Sequence, residues 1–248
     1  MFIFLCFYSS LFTATPTDAN AQESLLSNIE SSLPPVQLES CNGLLLVVEC
    51  FEALCGMAKC KAPGMDGSPA EFYLKFWHVL GQDLVDVLNF CYAARSLTLS
   101  QHPGIISLSF KKGDQLDMRN WHPISLLNVN YKLAAWAIAA RLLKVIHLVF
   151  AEDQTCGVLG RYIGENVAFL RDVVSYATMF DSPVAILSLD QGKAFDRVDW
   201  SFMYATPRKM GFGTSFLQWV KLFYTGVQSS VNINGYMSPF FSLSRGIR

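Results

Sequence analysis

Apolar positions along this chain fall into helical and strand periods that predict most of its elements. Leu44 to Met57 is apolar with Glu49 and Glu52 interspersed, a helix ending near Gly56. Ser68-Pro69 starts another helix, with proline at its first position. Gly81 to Arg95 then reads as a further helix, with Leu84, Val85, Leu88 and Cys91 on one face. Ile105 to Phe110 alternates as a strand does, and Lys111-Lys112-Gly113-Asp114 follows as a turn. Tyr131 to Phe150 is a long helix whose faces are set by Leu133, Ala137, Ala140, Lys144 and the Leu142-Leu143 pair. His147, near its end, reads as a surface or helix-terminal residue and not a ligand.

The second half continues the alternation. Asn166 to Met179 is a helix, and Val184 to Leu189 is a short apolar run between Pro183 and Asp190. That length suits a buried strand better than a helix, with the preceding helix packed against it. A polar turn leads into a helix from about Phe195, and Met203 to Met210 continues it, although Pro207 should kink it or end it early. Phe212-Gly213 begins a helix through Leu222, with Phe216, Trp219 and Phe223 as core aromatics. Ser229 to Ile233 and Phe240 to Leu243 are short strands, with Asn234-Gly235 as the hairpin signal between them. Thr13 to Asn42 is polar and reads as a linker with one short helix around Ser24 to Ser31.

Composition narrows the class. With 248 residues, 52% of them hydrophobic and 16% charged, the chain buries a real core and is not a disordered protein. The net charge of −1 hides an asymmetry. Six of the 20 acidic residues precede Lys59, the first basic one, leaving 14 against all 19 bases: a balance of +5 for the remainder. A polyanion suits that part, though so small a balance does not identify one. Seven cysteines, an odd number without tight pairs, argue against a disulfide framework or a zinc site and for reduced, intracellular thiols. Phe2 to Tyr8 with Ala19-Asn20-Ala21 has the outline of a secretion signal, but it lacks a basic leader and is too short to span a membrane.

Asp190 is the first candidate for chemistry. A carboxylate where a strand leaves a sheet holds a divalent cation in fixed geometry, or it caps the helix that follows. Spacing alone favours the cap. Lys111-Lys112 reads either as a solvated basic turn or as a phosphate-facing one. Gly160 and Arg161 read either as a loop that turns the chain or as a backbone approach to a strand of nucleic acid.

The motifs, taken together, resemble one family. LSLDQGKAFDRVDW, from Leu187 to Trp200, is similar to the first catalytic motif of the reverse transcriptases of non-LTR (LINE-type) retrotransposons. KAPGMDGSPAEFY from Lys61, NWHPISLLN from Asn120, DQTCGVLGRYIGEN from Asp153 and SRGIR from Ser244 resemble that family's further motifs, in its order. FYSSLFT, from Phe7, resembles the stretch between its endonuclease and its polymerase.

The resemblance implies an α+β fold, helix-rich with a small, mostly antiparallel sheet: a partial right-hand polymerase with fingers and an incomplete palm. It divides the chain into a lead-in over 1–43, fingers over 44–180 and a partial palm over 181–248. It implies Asp190 as catalytic and metal-binding, with Mg²⁺ in the intact enzyme and weak or absent binding here. Lys111, Lys112, His122 and Phe195 would face the nucleotide, Phe195 as the aromatic that excludes a ribose 2′-hydroxyl unless it is simply a core residue. Asp196 and Asp199 would flank the site or pair with Arg197. Gly160 and Arg161 would contact nucleic acid. The partners implied are an RNA template and a DNA primer, with no membrane, no inferable protein partner and an intracellular setting.

Several positions depart from the family pattern. His122 replaces an arginine, Gly192 a glutamate, Pro207 a leucine, Gly157 an aromatic and Leu159 a proline. The adjacent aspartate pair of the family's later hairpin is absent, the only neighbouring acids being Glu152-Asp153. The expectation is therefore a polymerase fragment with little or no activity alone. The alternatives are a non-catalytic RNA- or DNA-binding remnant and, behind it, a secreted α/β protein.

Overall fold

The computed structural model describes residues 2–247. Its helices are α1 (Phe2–Leu11), α2 (Ala19–Ser27), α3 (Pro35–Cys41), α4 (Val47–Gly56), α5 (Ala70–Ala94), α6 (Val129–Val145), α7 (Ile163–Met179), α8 (Trp200–Lys209) and α9 (Thr214–Tyr224). The strands are β1 (Pro103–Phe110), β2 (Trp121–Leu126), β3 (Gln228–Ile233), β4 (Tyr236–Met237) and β5 (Phe241–Ser242). They form one small mixed sheet in the order β2-β1-β3-β4, with β5 also on β3. β1 runs antiparallel to β2 and parallel to β3, while β4 and β5 are antiparallel to β3. A helix-rich chain with a small sheet is what the family resemblance implies.

The core lies where α4, α5, α6 and α9 meet. Leu54, Leu88, Leu133 and Trp219 are essentially inaccessible there. The expected second helix at Gly81 does not start afresh: α5 runs unbroken for 25 residues from Ala70 to Ala94. Gly81 lies under the ring of Trp77, so close that a Cβ would sit 2.7 Å from Trp77 Cε2. The glycine is thus a packing contact and not a break. α5 ends at Arg95, whose left-handed φ of 55° allows its own N–H to reach the Tyr92 carbonyl and that of Ser96 the Cys91 carbonyl.

Residues 2–43 contribute core side chains. Tyr8, Phe12, Leu33 and Cys41 are all buried, and the Leu33 N–H bonds the Met210 carbonyl at 2.9 Å. Two helices, α2 and α3, occupy the segment where composition predicts one. The β3–β4 turn follows its sequence signal, with Asn234 and Gly235 both at positive φ.

The largest correction concerns Val184 to Leu189. These residues form no strand and are exposed, Leu187 and Leu189 by about four fifths. α7, expected to cover them, has no buried residue. A short apolar run becomes a strand only where neighbouring backbone completes its hydrogen bonds, and among the described residues the sheet is built from other segments. Asp190 therefore leaves an irregular segment, not a sheet.

The helix expected from Phe195 is a 3-10 turn, Phe195–Arg197, and α8 starts only at Trp200. Asp199 caps α8, accepting the Phe202 N–H at 3.0 Å and the Ser201 hydroxyl. α8 stops two residues after Pro207. Asp199→Ala is expected to cost about 1 kcal/mol at neutral pH. Burial pushes the Asp199 carboxyl up, but the hydrogen bonds from Ser201, Phe202 and Gln22 outweigh it and hold its pKa below the usual range. A carboxyl depressed in the fold contributes stability above its unfolded pKa, lost as pH falls through the folded value. The gap between wild type and variant should be full above about pH 5 and close in stronger acid. Urea midpoints across that range check it.

Candidate nucleotide and nucleic-acid site

The β1–β2 hairpin is held by its own loop. The Lys111 N–H bonds the Asn120 carbonyl at 3.0 Å, the Asn120 amide bonds the Asp114 carbonyl at 2.9 Å, and the Trp121 indole N–H reaches the Gln115 carbonyl at 3.0 Å. Gly113, at φ 93°, lies against the Asn120 amide, where a side chain would collide. A loop so braced presents Lys111, Arg119 and His122 toward one side of the sheet.

That side is one wall of a cleft of about 1220 Å³. Asp190 to Arg197 line the same cleft, together with Cys6, Phe7 and Ser10 of α1 and with Arg245 and Ile247 near the end of the described residues. Asp190 is exposed in this cleft despite the loss of its strand. Phe195 is 75% exposed and also lines it, so it is not a core residue. Four of the predicted residues, Lys111, His122, Asp190 and Phe195, thus come together from segments about 70 residues apart. Lys112, Gly160 and Arg161 are not among the residues lining the cleft.

Two half-buried groups set the field of the wall. The Lys193 ammonium donates to the Trp121 carbonyl at 2.6 Å, tying the segment after Asp190 to the start of β2. Burial pulls its pKa down, Asp196 opposes this and Lys111 adds to it. Burial likewise pushes the Asp196 carboxyl up, against the attraction of Lys193, His122 and Arg197. Both groups move toward neutrality although they attract each other, so desolvation outweighs the pairing on each side.

The sequence profile of the family described as reverse transcriptase (RNA-dependent DNA polymerase) matches residues 110–247, more than half of the chain. This chain belongs to the reverse transcriptase family. It is also 37% identical, over 245 residues, to the transposon TX1 uncharacterized 149 kDa protein of Xenopus laevis. The match covers 98% of this chain and 18% of that protein. The lineage carried by the motifs, a reverse transcriptase domain of a LINE-type element, holds, and the secreted α/β reading is not favoured.

As a reverse transcriptase segment the chain departs from the sequence reading in two places. Arg161 has its guanidinium turned onto backbone, donating to the carbonyls of Ala151, Gln154, Phe150 and His147. It thereby closes the turn that follows α6. Gly160 beside it, at φ 81°, faces open space. The second departure is what sequence reading overlooked. Arg119, Lys193 and Arg245 all line the cleft, and so does Arg197, read from sequence only as a partner for Asp196 or Asp199. Arg119 and Lys193 sit inside or beside quoted motifs, so their charge was visible; their direction was not.

Reverse transcriptases as a family use divalent metal. Among the described residues no three of His, Cys, Asp and Glu come together as a metal-holding group. The two carboxylates of the cleft are Asp190 and Asp196, and Asp196 is held by the charges of Lys193 and Arg197. These residues do not fit a two-cation centre. Among the described residues, moreover, no helix is long and apolar enough to cross a membrane.

Proposed function

We propose that this chain is the nucleotide-facing portion of a template-directed DNA polymerase: it holds a triphosphate and an RNA template with a DNA primer, and does not by itself extend the primer. The observation that carries this is the convergence of Lys111, His122, Asp190 and Phe195 on one cleft. Lysine ammonium groups at that wall stabilise phosphate oxygens by charge alone. Phe195 offers a ring against the sugar, and Asp190 is the carboxylate of the first catalytic motif. Nucleotidyl transfer of this kind places two cations about 3.5–4 Å apart across the reacting oxygens, and Mg²⁺ is the cation we assign to the intact enzyme. Each needs several oxygen ligands, and one free carboxylate does not supply them. Gly160 and the remaining basic loops would meet nucleic acid at the outer surface, in an intracellular setting.

Primer extension on an RNA template with the purified 248-residue chain tests the reading. The expected result is binding of template–primer that weakens as salt rises, without synthesis. Robust Mg²⁺-dependent extension, abolished by Asp190→Ala, would show that the cleft is a complete catalytic centre and overturn the proposal.

A further inference from the structure

The part of the cleft lining that carries His122 also holds a guanidinium three residues upstream. The β1–β2 loop ends in a 3-10 turn, Met118–Asn120, capped by Asp117, which accepts the Arg119 N–H at 2.9 Å. The same carboxylate takes the Arg119 guanidinium, with Nε at 3.0 Å from each oxygen and Nη2 at 2.8 Å from Oδ2. Arg119 lines the cleft, with its side chain 80% exposed. The hydrogen bonds from Arg119 hold the Asp117 carboxyl below its usual range.

An exposed ion pair two residues apart stabilises a fold very little, because water screens it and both side chains lose freedom. Opening it is therefore easy. A guanidinium that grips both oxygens of a carboxylate presents the fork that a phosphate group takes, and phosphate brings more charge to it. The loop beneath is braced by Asn120 and Trp121, so the fork is delivered at a set place on the wall. Histidine at 122 has neither that fork nor a permanent charge at neutral pH.

We propose that Arg119 supplies the phosphate-gripping fork that His122 lacks, exchanging the Asp117 carboxylate for two oxygens of an incoming nucleoside triphosphate. This rests on the reading of the cleft as a nucleotide site and gives that site its directional contact. Asp117 acts as the resident stand-in for the phosphate, and Lys111 and Lys193 add charge without direction.

Titration of the intact chain with a fluorescent deoxynucleoside triphosphate in EDTA tests the exchange apart from any metal. Arg119→Ala should weaken binding about tenfold, the worth of one charge-assisted pair. Asp117→Asn, which still caps the turn but no longer holds the guanidinium, should tighten binding. In a His122→Arg background, the loss on Arg119→Ala should shrink. Circular dichroism and urea midpoints confirm that each variant folds. If Lys111→Ala weakens binding while Arg119→Ala and Asp117→Asn leave it unchanged, the exchange is overturned and the cleft reading stands. If the wild-type chain binds no triphosphate at all, both fall together.

Discussion

Replacing Arg141 by alanine is expected to lower the stability of the fold by about 3–5 kcal/mol, the cost of breaking a buried ion pair from one side. The side chain is only 8% exposed and reaches from α6 into the end of α3 and the turn before α4. Its Nε and Nη2 hold the two Glu49 oxygens at 2.9 and 2.5 Å. Nη1 donates to the carbonyls of Asn42 and Gly43, both at 3.0 Å, and Nη2 to that of Leu44 at 2.6 Å. Removing the guanidinium would strand Glu49 and leave the turn's carbonyls without their donors. Lysine keeps the charge but offers one point donor for a planar fork, so Arg141→Lys should lose most of the same stability. Urea unfolding of both variants, with the slope of the transition unchanged, is the measurement. A fall of under about 1 kcal/mol for Arg141→Ala would mean that the turn satisfies itself otherwise.

Arg141 also marks the limit of sequence reading in α6. Leu133 and Ala137 were read onto the helix faces and are buried. Ala140 is exposed, while Arg141, four residues beyond Ala137, completes the buried stripe. Apolar periodicity assigns a charged residue to solvent and cannot anticipate a turn whose carbonyls require a buried donor. The same limit explains Arg161, whose cation is spent on carbonyls after α6.

Elements whose determinants are local were legible: β1 by alternation, the β3–β4 turn by Asn-Gly, α9 by its aromatics. The run from Val184 to Leu189 was not, because a strand is a property of two segments and only one of them can be inspected in a motif. The candidate site divides in the same way. Asp190 and Phe195 reach the cleft together because one motif holds them both. Lys193 lies between them in that motif, yet its bond to the Trp121 carbonyl depends on how β2 is placed. Asn128 is a third case. Its side chain bonds the Ser100 carbonyl at 2.8 Å, and Gly64 packs on it so tightly that a Cβ would fall 2.0 Å from Oδ1. Two motifs read separately, around Gly64 and around Asn128, are thus one contact in space.

Trp219→Ala should cost a further 3–5 kcal/mol, about what large aromatic truncations cost in packed cores. Trp219 is fully buried on α9, stacked on Tyr92 of α5 at 4.6 Å between ring centroids and near Phe223 at 6.1 Å. α5 and α9 are also joined by the Gln218 amide on the Tyr92 carbonyl at 2.8 Å and by the Tyr92 hydroxyl with Ser215 at 2.9 Å. Those bonds fix the two helices at their present spacing, so the hole left by the indole cannot close by collapse. The indole N–H donates to the Gly43 carbonyl at 3.1 Å, the same oxygen that Arg141 Nη1 holds. Trp219→Phe therefore separates the terms: it keeps most of the apolar contact and loses one hydrogen bond, for about 1 kcal/mol, less if Arg141 alone satisfies Gly43. Because Trp219 and Arg141 share that acceptor, their effects should not add. In the Arg141→Ala background the Gly43 carbonyl depends on the indole alone, so Trp219→Phe should cost more than in wild type. A double-mutant cycle read by urea unfolding measures the difference. Strict additivity would mean that the turn at Gly43 is held from elsewhere, and that α3, α6 and α9 are not joined through it.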